Sequence, residues 1–236
     1  MKTISVIIPT YQHGATIEDC LDAILSQSRT PEEIIVVDDG SNDETQAKVS
    51  KYAPRVKYIY EENSGAPKAR MNGFNVSKGD FVLFCDADVV LDQNALKKFE
   101  DVLFDNPDAS FAYSSFVWGS KVFKSCVFNA IELKKRNYIH TTALIRREHF
   151  PGFDTSLKRF QDWDLWLTMI DEGRSGIFVD EILFKTIQVK GRENISNWLP
   201  SFVLRLPWWL IGWSPKKVAD YFESKKIVMQ KHNITA

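Results

Sequence analysis

A chain of 236 residues, 44% hydrophobic and 26% charged, has ordinary globular composition and enough apolar material for one large α/β domain, with or without an appendage. The 30 basic and 31 acidic side chains leave a formal net charge of −1, which excludes a global basic field of the kind that binds nucleic acid. Cys20, Cys85 and Cys126 are odd in number, far apart and without C-x-x-C spacing. They argue against a disulfide framework or zinc site and for a reducing, cytoplasmic compartment.

Residues 4–9 (Ile-Ser-Val-Ile-Ile-Pro) are short, β-branched and apolar, as expected of a buried parallel strand rather than a signal peptide. Ile17, Leu21, Ile24 and Leu25 set a helical spacing over 16–27. A second buried strand is predicted at 33–38, and Ser41-Asn42-Asp43-Glu44 reads as a capping box opening a helix. A strand at 56–60, a helix at 65–76, a strand at 80–85 and an amphipathic helix at 92–105 follow. Repeated βαβ units imply a mostly parallel central sheet flanked by helices on both faces, a Rossmann-like α/β fold. The later part predicts strands near 110–118, 140–145 and 176–183 and a helix at 162–172. From Asn194 the composition shifts to Trp, Phe, Pro and Lys. The expected organisation is a catalytic domain at 1–193, with a nucleotide-binding half at about 1–105 and an acceptor half at about 106–193, followed by a helical appendage at 194–236.

Ligands of such sheets bind beyond the carboxyl ends of the strands, and polar residues collect there. Tyr11 follows strand one, where its ring could stack on a base or pack under the loop. Asp38 and Asp39 end strand two. Asp39 could accept hydrogen bonds from a base or ribose, or cap the loop. Asp86-Ala87-Asp88 follows strand four. Two carboxylates at i and i+2 repel each other unless a cation offsets them, and Mg²⁺ or Mn²⁺ bridged to a diphosphate would do so; the bland alternative is a solvated turn. Lys68 and Arg70 lie in the first turn of a helix, where the dipole disfavours cations unless an anion sits nearby. Asp162 opens the helix near 162, as a cap or as a general base. His13, His140, His149 and His232 have no metal-ligand spacing and read as structural.

In order along the chain stand Val6-Ile7-Ile8-Pro9-Thr10-Tyr11, Val36-Val37-Asp38-Asp39-Gly40-Ser41 and Asn63-Ser64-Gly65 leading to Lys68-Ala69-Arg70. Asp86-Ala87-Asp88, Arg146-Arg147, Gly152-Phe153-Asp154 and Gln161-Asp162 follow. Over about residues 4–187 this pattern resembles the family 2 glycosyltransferases, which have the A-type nucleotide-diphospho-sugar transferase fold. The resemblance implies an inverting, metal-dependent, hexosyltransferase-type enzyme. It would take a nucleotide diphosphate-sugar, UDP-sugar in the commonest case, and glycosylate a glycan or lipid-linked acceptor in cell-surface polysaccharide or glycolipid synthesis. By the same resemblance Tyr11 stacks on the base with Pro9 and Thr10 nearby, Asp39 binds the base, Arg70 contacts the nucleotide and Asp86 faces the ribose. Asp88 holds Mn²⁺ or Mg²⁺, and Asp162 is the catalytic base. Two departures stand out. Gln161 replaces a usual Glu, and the stretch 185–192 lacks the histidine that commonly follows the last strand, leaving Lys190 or Arg192 as substitutes.

Other readings fit less well. A sugar-1-phosphate nucleotidyltransferase needs a Gly-rich basic loop after strand one, where this chain has Thr10-Tyr11-Gln12-His13-Gly14. P-loop and G-x-G-x-x-G motifs are missing. A catalytically silent binding module remains the alternative from another class. No apolar run reaches the ~20 residues of a membrane span. Residues 198–213 nonetheless carry four tryptophans, and a lysine-bearing helix is expected to follow with Ser214 as N-cap and Pro215 as its first residue. Together 198–232 predict either peripheral contact with the inner membrane face or packing of the aromatics on the catalytic domain or a partner subunit.

Overall fold

The structure, a computed structural model, describes residues 2–189 and 215–234. The expectations for Lys190, Arg192, Ser214 and the aromatic run 198–213 lie outside the described residues. A nine-stranded mixed sheet forms the centre, ordered β3-β2-β1-β4-β8-β6-β9-β5 with β7 on β6. Strands β1 (Ile4–Thr10), β2 (Glu33–Asp39), β3 (Lys57–Glu61) and β4 (Phe81–Phe84) are mutually parallel. Helices α1 (Ile17–Leu25), α2 (Thr45–Ser50) and α3 (Ala66–Val76) connect them in turn. The later strands break the parallel pattern. Strand β8 (Leu144–Arg146) runs antiparallel to both β4 and β6 (Phe111–Trp118), whereas β6 pairs in parallel with β9 (Gly176–Thr186). Strands β5 (Val89–Leu91) and β7 (Lys121–Phe123) and helix α5 (Ala130–Lys135) were not anticipated. Each is too short for a periodic signal to build up.

Side-chain alternation divides the core between the two faces of the sheet. Ile4, Val6, Ile8, Ile34 and Val36 face α1 and α4 (Ala95–Asp105), joined by Leu21, Ile24, Leu96 and Phe99. Ile7, Val82 and Phe84 point the other way, toward α6 (Gln161–Asp171) and its Trp163 and Trp166. Helix α3 has little amphipathic character because it approaches the sheet through small residues. A Cβ on Gly73 would lie 2.5 Å from Ile7 Cγ2 and 3.1 Å from Val37 Cγ2, inside van der Waals contact, so glycine sets the closeness of α3 to β1 and β2.

The expected capping box does not form. Helix α2 starts at Thr45 with no side-chain cap bond from its N-cap residue, Glu44. Asp43 serves instead, accepting from Thr45 N–H at 3.0 Å and from Gly14 N–H at 2.8 Å, while the Ser41 hydroxyl accepts from Gln12 N–H. The polar run ties two loops together rather than closing on its own helix. Helix α7 (Lys216–Lys231) has Pro215 at its N-cap position, not inside the first turn. It buries Val218 and Val228 and joins the α6 side of the core.

Candidate active site

The carboxyl ends of β1 to β4 form one lip. Thr10 sits beside Asp38, and Asp39 beside Glu61. Pro9 and Thr10 are buried in β1, whereas Tyr11 just beyond is 44% exposed, as a stacking platform must be. Asp38 is fully buried and structural, its carboxylate accepting from Ser41 N–H at 2.8 Å and from the Tyr58 hydroxyl at 2.7 Å. Asp39 reaches sideways, accepting from Ser64 N–H at 2.6 Å and Gly65 N–H at 2.9 Å. Gly65, at φ +96°, takes the left-handed turn that starts α3. Asp39 therefore fixes the approach to α3, and with it the place of Arg70.

Arg70 and Asp86 are a pair. The buried guanidinium donates from Nη2 to Asp86 Oδ1 at 2.7 Å and from Nη1 to Gln161 Oε1 at 3.1 Å. Its carbon stands 5.4 Å from the centre of the Phe153 ring, and its Nε is buried without a hydrogen-bond partner. The anion that the sequence requires beside Arg70 is thus Asp86, and the cation that offsets Asp86 is Arg70. Lys68, two residues earlier on the same turn, is exposed to solvent instead. Burial works against the Asp86 carboxylate, yet the carboxyl lies below its ordinary range, with the charge of the Arg70 guanidinium and its hydrogen bond as the chief opposing influence. Gln161, where the family often has Glu, gives Arg70 a neutral acceptor beside the charged Asp86.

Asp162 stands at the start of α6, after Phe160 in a left-handed conformation with φ 60°. Its Oδ2 accepts from Asn137 Nδ2 at 2.6 Å and its Oδ1 from Trp163 N–H at 2.9 Å. The amide of Asn137 is oriented by its other end, where Oδ1 accepts from Ile139 N–H at 3.2 Å. Burial raises the Asp162 carboxyl above its ordinary value, against the opposing pull of the Trp163 N–H and Arg70. His140 feels both Asp86 and Asp162, but burial dominates and keeps its ring below the usual histidine range. Its Nδ1 accepts from Thr142 N–H at 3.1 Å, and its ring lies 4.8 and 5.1 Å from those of Phe116 and Phe184. A neutral ring accepting at Nδ1 carries its proton on Nε2. The structure thus moves His140 from the expected β8 strand to a loop between the two carboxylates. The sequence signal for Asn137 and His140 is only their proximity to β8; nothing in their spacing points to Asp162.

Asp88 is half-buried, and its carbonyl accepts from Ile187 N–H at 2.7 Å. That bond brings the stretch lacking the family histidine alongside it. Asp86 is engaged by Arg70 at 2.7 Å. No group of three or more His, Cys, Asp or Glu able to hold a metal occurs among the described residues. A one-carboxylate donor set fits Mg²⁺ or Mn²⁺ arriving with phosphate oxygens, not a metal caged by protein alone. Of the other three histidines, His13 accepts at Nδ1 from Tyr11 N–H at 3.2 Å beside β1, His149 lies beside Glu148 at 3.9 Å, and His232 bridges Asp164 and Asp171 at 2.8 and 2.7 Å.

Comparison with known proteins agrees with this geometry. The family described as glycosyl transferase family 2 matches residues 5–153. TuaG of Bacillus subtilis, a glycosyltransferase assigned to teichuronic acid biosynthesis, is 28% identical over 208 residues, covering 83% of this chain and 82% of its own. Several curated glycosyltransferase relatives are longer, and the chain spans 37% to 63% of the length of four of them. Among solved structures, Staphylococcus aureus TarS 1-349 in complex with UDP-GlcNAc superposes with a TM-score of 0.68 at 23% identity, covering 86% of this chain and 65% of that one. The mannosyltransferase PcManGT of Pyrobaculum calidifontis, in complex with GDP-Man and Mn²⁺, gives 0.64 at 21%, covering 86% and 60%. These likenesses share the A-type fold, and with most of the chain matched by the family pattern, this protein belongs to glycosyl transferase family 2.

Proposed function

We propose that this chain transfers a sugar, with inversion, from a nucleotide diphosphate-sugar to an acceptor hydroxyl, with a UDP-sugar favoured as donor. The observation that supports the reading is the Asp86–Arg70–Gln161 bridge, which ties the residue preceding Asp162 to the ends of β4 and α3. Tyr11 stacks on the base beside Pro9 and Thr10, and Asp39 uses its remaining lone pairs on the base. Asp86 faces the ribose while Arg70 holds it, and Arg70 Nε is left for the nucleotide. Asp88 holds Mn²⁺ or Mg²⁺, which when bound offsets charge on the departing diphosphate. The Asp162 carboxylate takes the acceptor hydroxyl proton as that oxygen bonds to the anomeric carbon and the diphosphate leaves from the opposite face. Bound UDP-GlcNAc in TarS and GDP-Man with Mn²⁺ in PcManGT support donor class and metal. The place of TuaG in teichuronic acid biosynthesis supports a glycan acceptor.

The test mixes protein, Mn²⁺, acceptor and each of UDP-, GDP- and dTDP-sugars, and reads released nucleotide. Acceptor-dependent release from one donor is the expected result. A donor-induced rise in Tm without release from any of them would leave a silent sugar-nucleotide-binding module instead.

A further inference from the structure

Helices α5 and α7 lie side by side and enclose an open cleft of about 900 Å³. Each contributes one face. On α7 the lining residues Phe222, Lys225, Lys226, Met229 and Gln230 recur at helical spacing, and on α5 Ile131, Lys134 and Lys135 do the same. The floor is apolar and open to solvent: Ile131 is 69% exposed and Phe222 45%. Four lysines and no carboxylate line the cleft. Lys135 and Lys134 reach outward to Glu132 at 2.8 Å and Asp171 at 3.7 Å, while Lys225 and Lys226 make no ion pair among the described residues. An apolar floor with a purely cationic rim is the chemistry of a surface that meets anionic headgroups, with lysine stems lying along the apolar part and ammonium groups above it.

We propose that the α5–α7 face is a docking surface for an anionic lipid bilayer. Charge selects this occupant over two others. The chain's own aromatic segment, 190–214, carries Lys190, Arg192 and Arg205 against a single Glu193, so it has the sign of the rim. A second copy would bring the same lysines to the same place. The proposal stands apart from the transferase reading, because no residue of the donor or base site lines this cleft.

Flotation decides it, using the full chain with phosphatidylcholine vesicles and with vesicles containing one third phosphatidylglycerol. The protein should float with the second and not the first, and high salt should release it. Each lysine near an anionic surface contributes about five-fold in partition, so Lys225→Gln with Lys226→Gln should lower binding roughly thirty-fold. Ile131→Ser with Phe222→Ser should lower it independently. Far-UV circular dichroism and thermal unfolding show that the variants are folded, and any UDP-induced rise in Tm reports on the donor site separately. No flotation with anionic vesicles, equal flotation with both kinds, or wild-type flotation of both folded variants would each overturn the proposal.

Discussion

Removing Arg70 should expose what Asp86 needs. In Arg70→Met the carboxylate keeps its place, 29% exposed on the side chain, but loses the guanidinium at 2.7 Å. Unit charges ~4 Å apart attract by about 4 kcal/mol at an effective dielectric of 20, and breaking one side of a buried pair costs about 3–5 kcal/mol. Partial exposure of Asp86 argues for the lower end, about 3 kcal/mol at pH 7. The pH dependence gives the sharper test. In the native protein the Asp86 pKa is lowered, so its contribution is present above the unfolded-state value and is lost as pH falls through the folded one. Without Arg70 only burial is left as a strong influence, and the folded pKa should rise above the unfolded one. The charged carboxylate then penalises the fold at neutral pH, and the deficit of Arg70→Met should shrink as acid protonates it. Asp86→Asn should largely rescue the stability of Arg70→Met. Urea unfolding of the two single variants and the double variant, at pH 7 and near pH 5, reads all of this. A loss below about 1 kcal/mol, the range of an exposed pair, or one that stays constant with pH would refute the reasoning.

Other expectations concern the reaction. Asp162→Asn should lower turnover by roughly 10²–10⁴-fold and leave UDP binding by calorimetry nearly unchanged; more than a tenth of native turnover would remove Asp162 as the base. Because burial raises the Asp162 carboxyl, the acid limb of kcat/KM in the native enzyme should lie above the ordinary aspartate range, with activity lost as pH falls through it. Asp88→Ala should weaken donor binding in Mn²⁺ and hardly affect free nucleoside, and full activity in excess EDTA would rule out the metal. Asp39→Ala should weaken UDP binding by roughly 1.5–3 kcal/mol, the worth of a hydrogen bond to a charged group. It should also lower Tm, because Ser64 and Gly65 lose their acceptor; an unchanged dissociation constant would move the base pocket elsewhere.

The parallel first half was legible in the sequence because its strands are buried on both faces and read as unbroken apolar runs, Ile4–Thr10 and Glu33–Asp39 among them. The mixed second half was less so. Strands of three residues such as β5 and β8 are fixed by their neighbours, not by their own composition. At the site, residue types and positions could be read but pairings could not. Arg70 and Asp86 are 16 positions apart and Asn137 and Asp162 are 25 apart; each meeting depends on how the sheet stacks. The metal argument from Asp86 and Asp88 shows the consequence. Their mutual repulsion called for a cation, and the protein itself supplies one to Asp86 from α3.

Base placement follows from the same logic of distant contacts. General-base catalysis depends on a carboxylate held within hydrogen-bond reach of the acceptor, and small misplacements are expensive in rate. Helix α6 is fixed on two sides. Toward the sheet, the Trp163 and Trp166 indoles donate to the Leu133 and Ile139 carbonyls at 2.7 and 3.0 Å. On the other side, Asp164 accepts from Lys231 at 2.9 Å and meets His232 Nε2 at 2.8 Å, while Lys231 also reaches Asp154, lowering that carboxyl to about 2. The end of helix α7 is therefore tied, through Lys231 and His232, to the helix that carries Asp162. Segment 130–139 closes the loop. It carries Ile131 and the α5 lysines on its outer face, the carbonyls that receive both indoles, and Asn137 on Asp162. From Lys135 at the rim to Asn137 at the base is two residues, roughly 7 Å of chain at full extension. A contact that orders the α5–α7 face thus acts on the same short segment that orients the carboxylate.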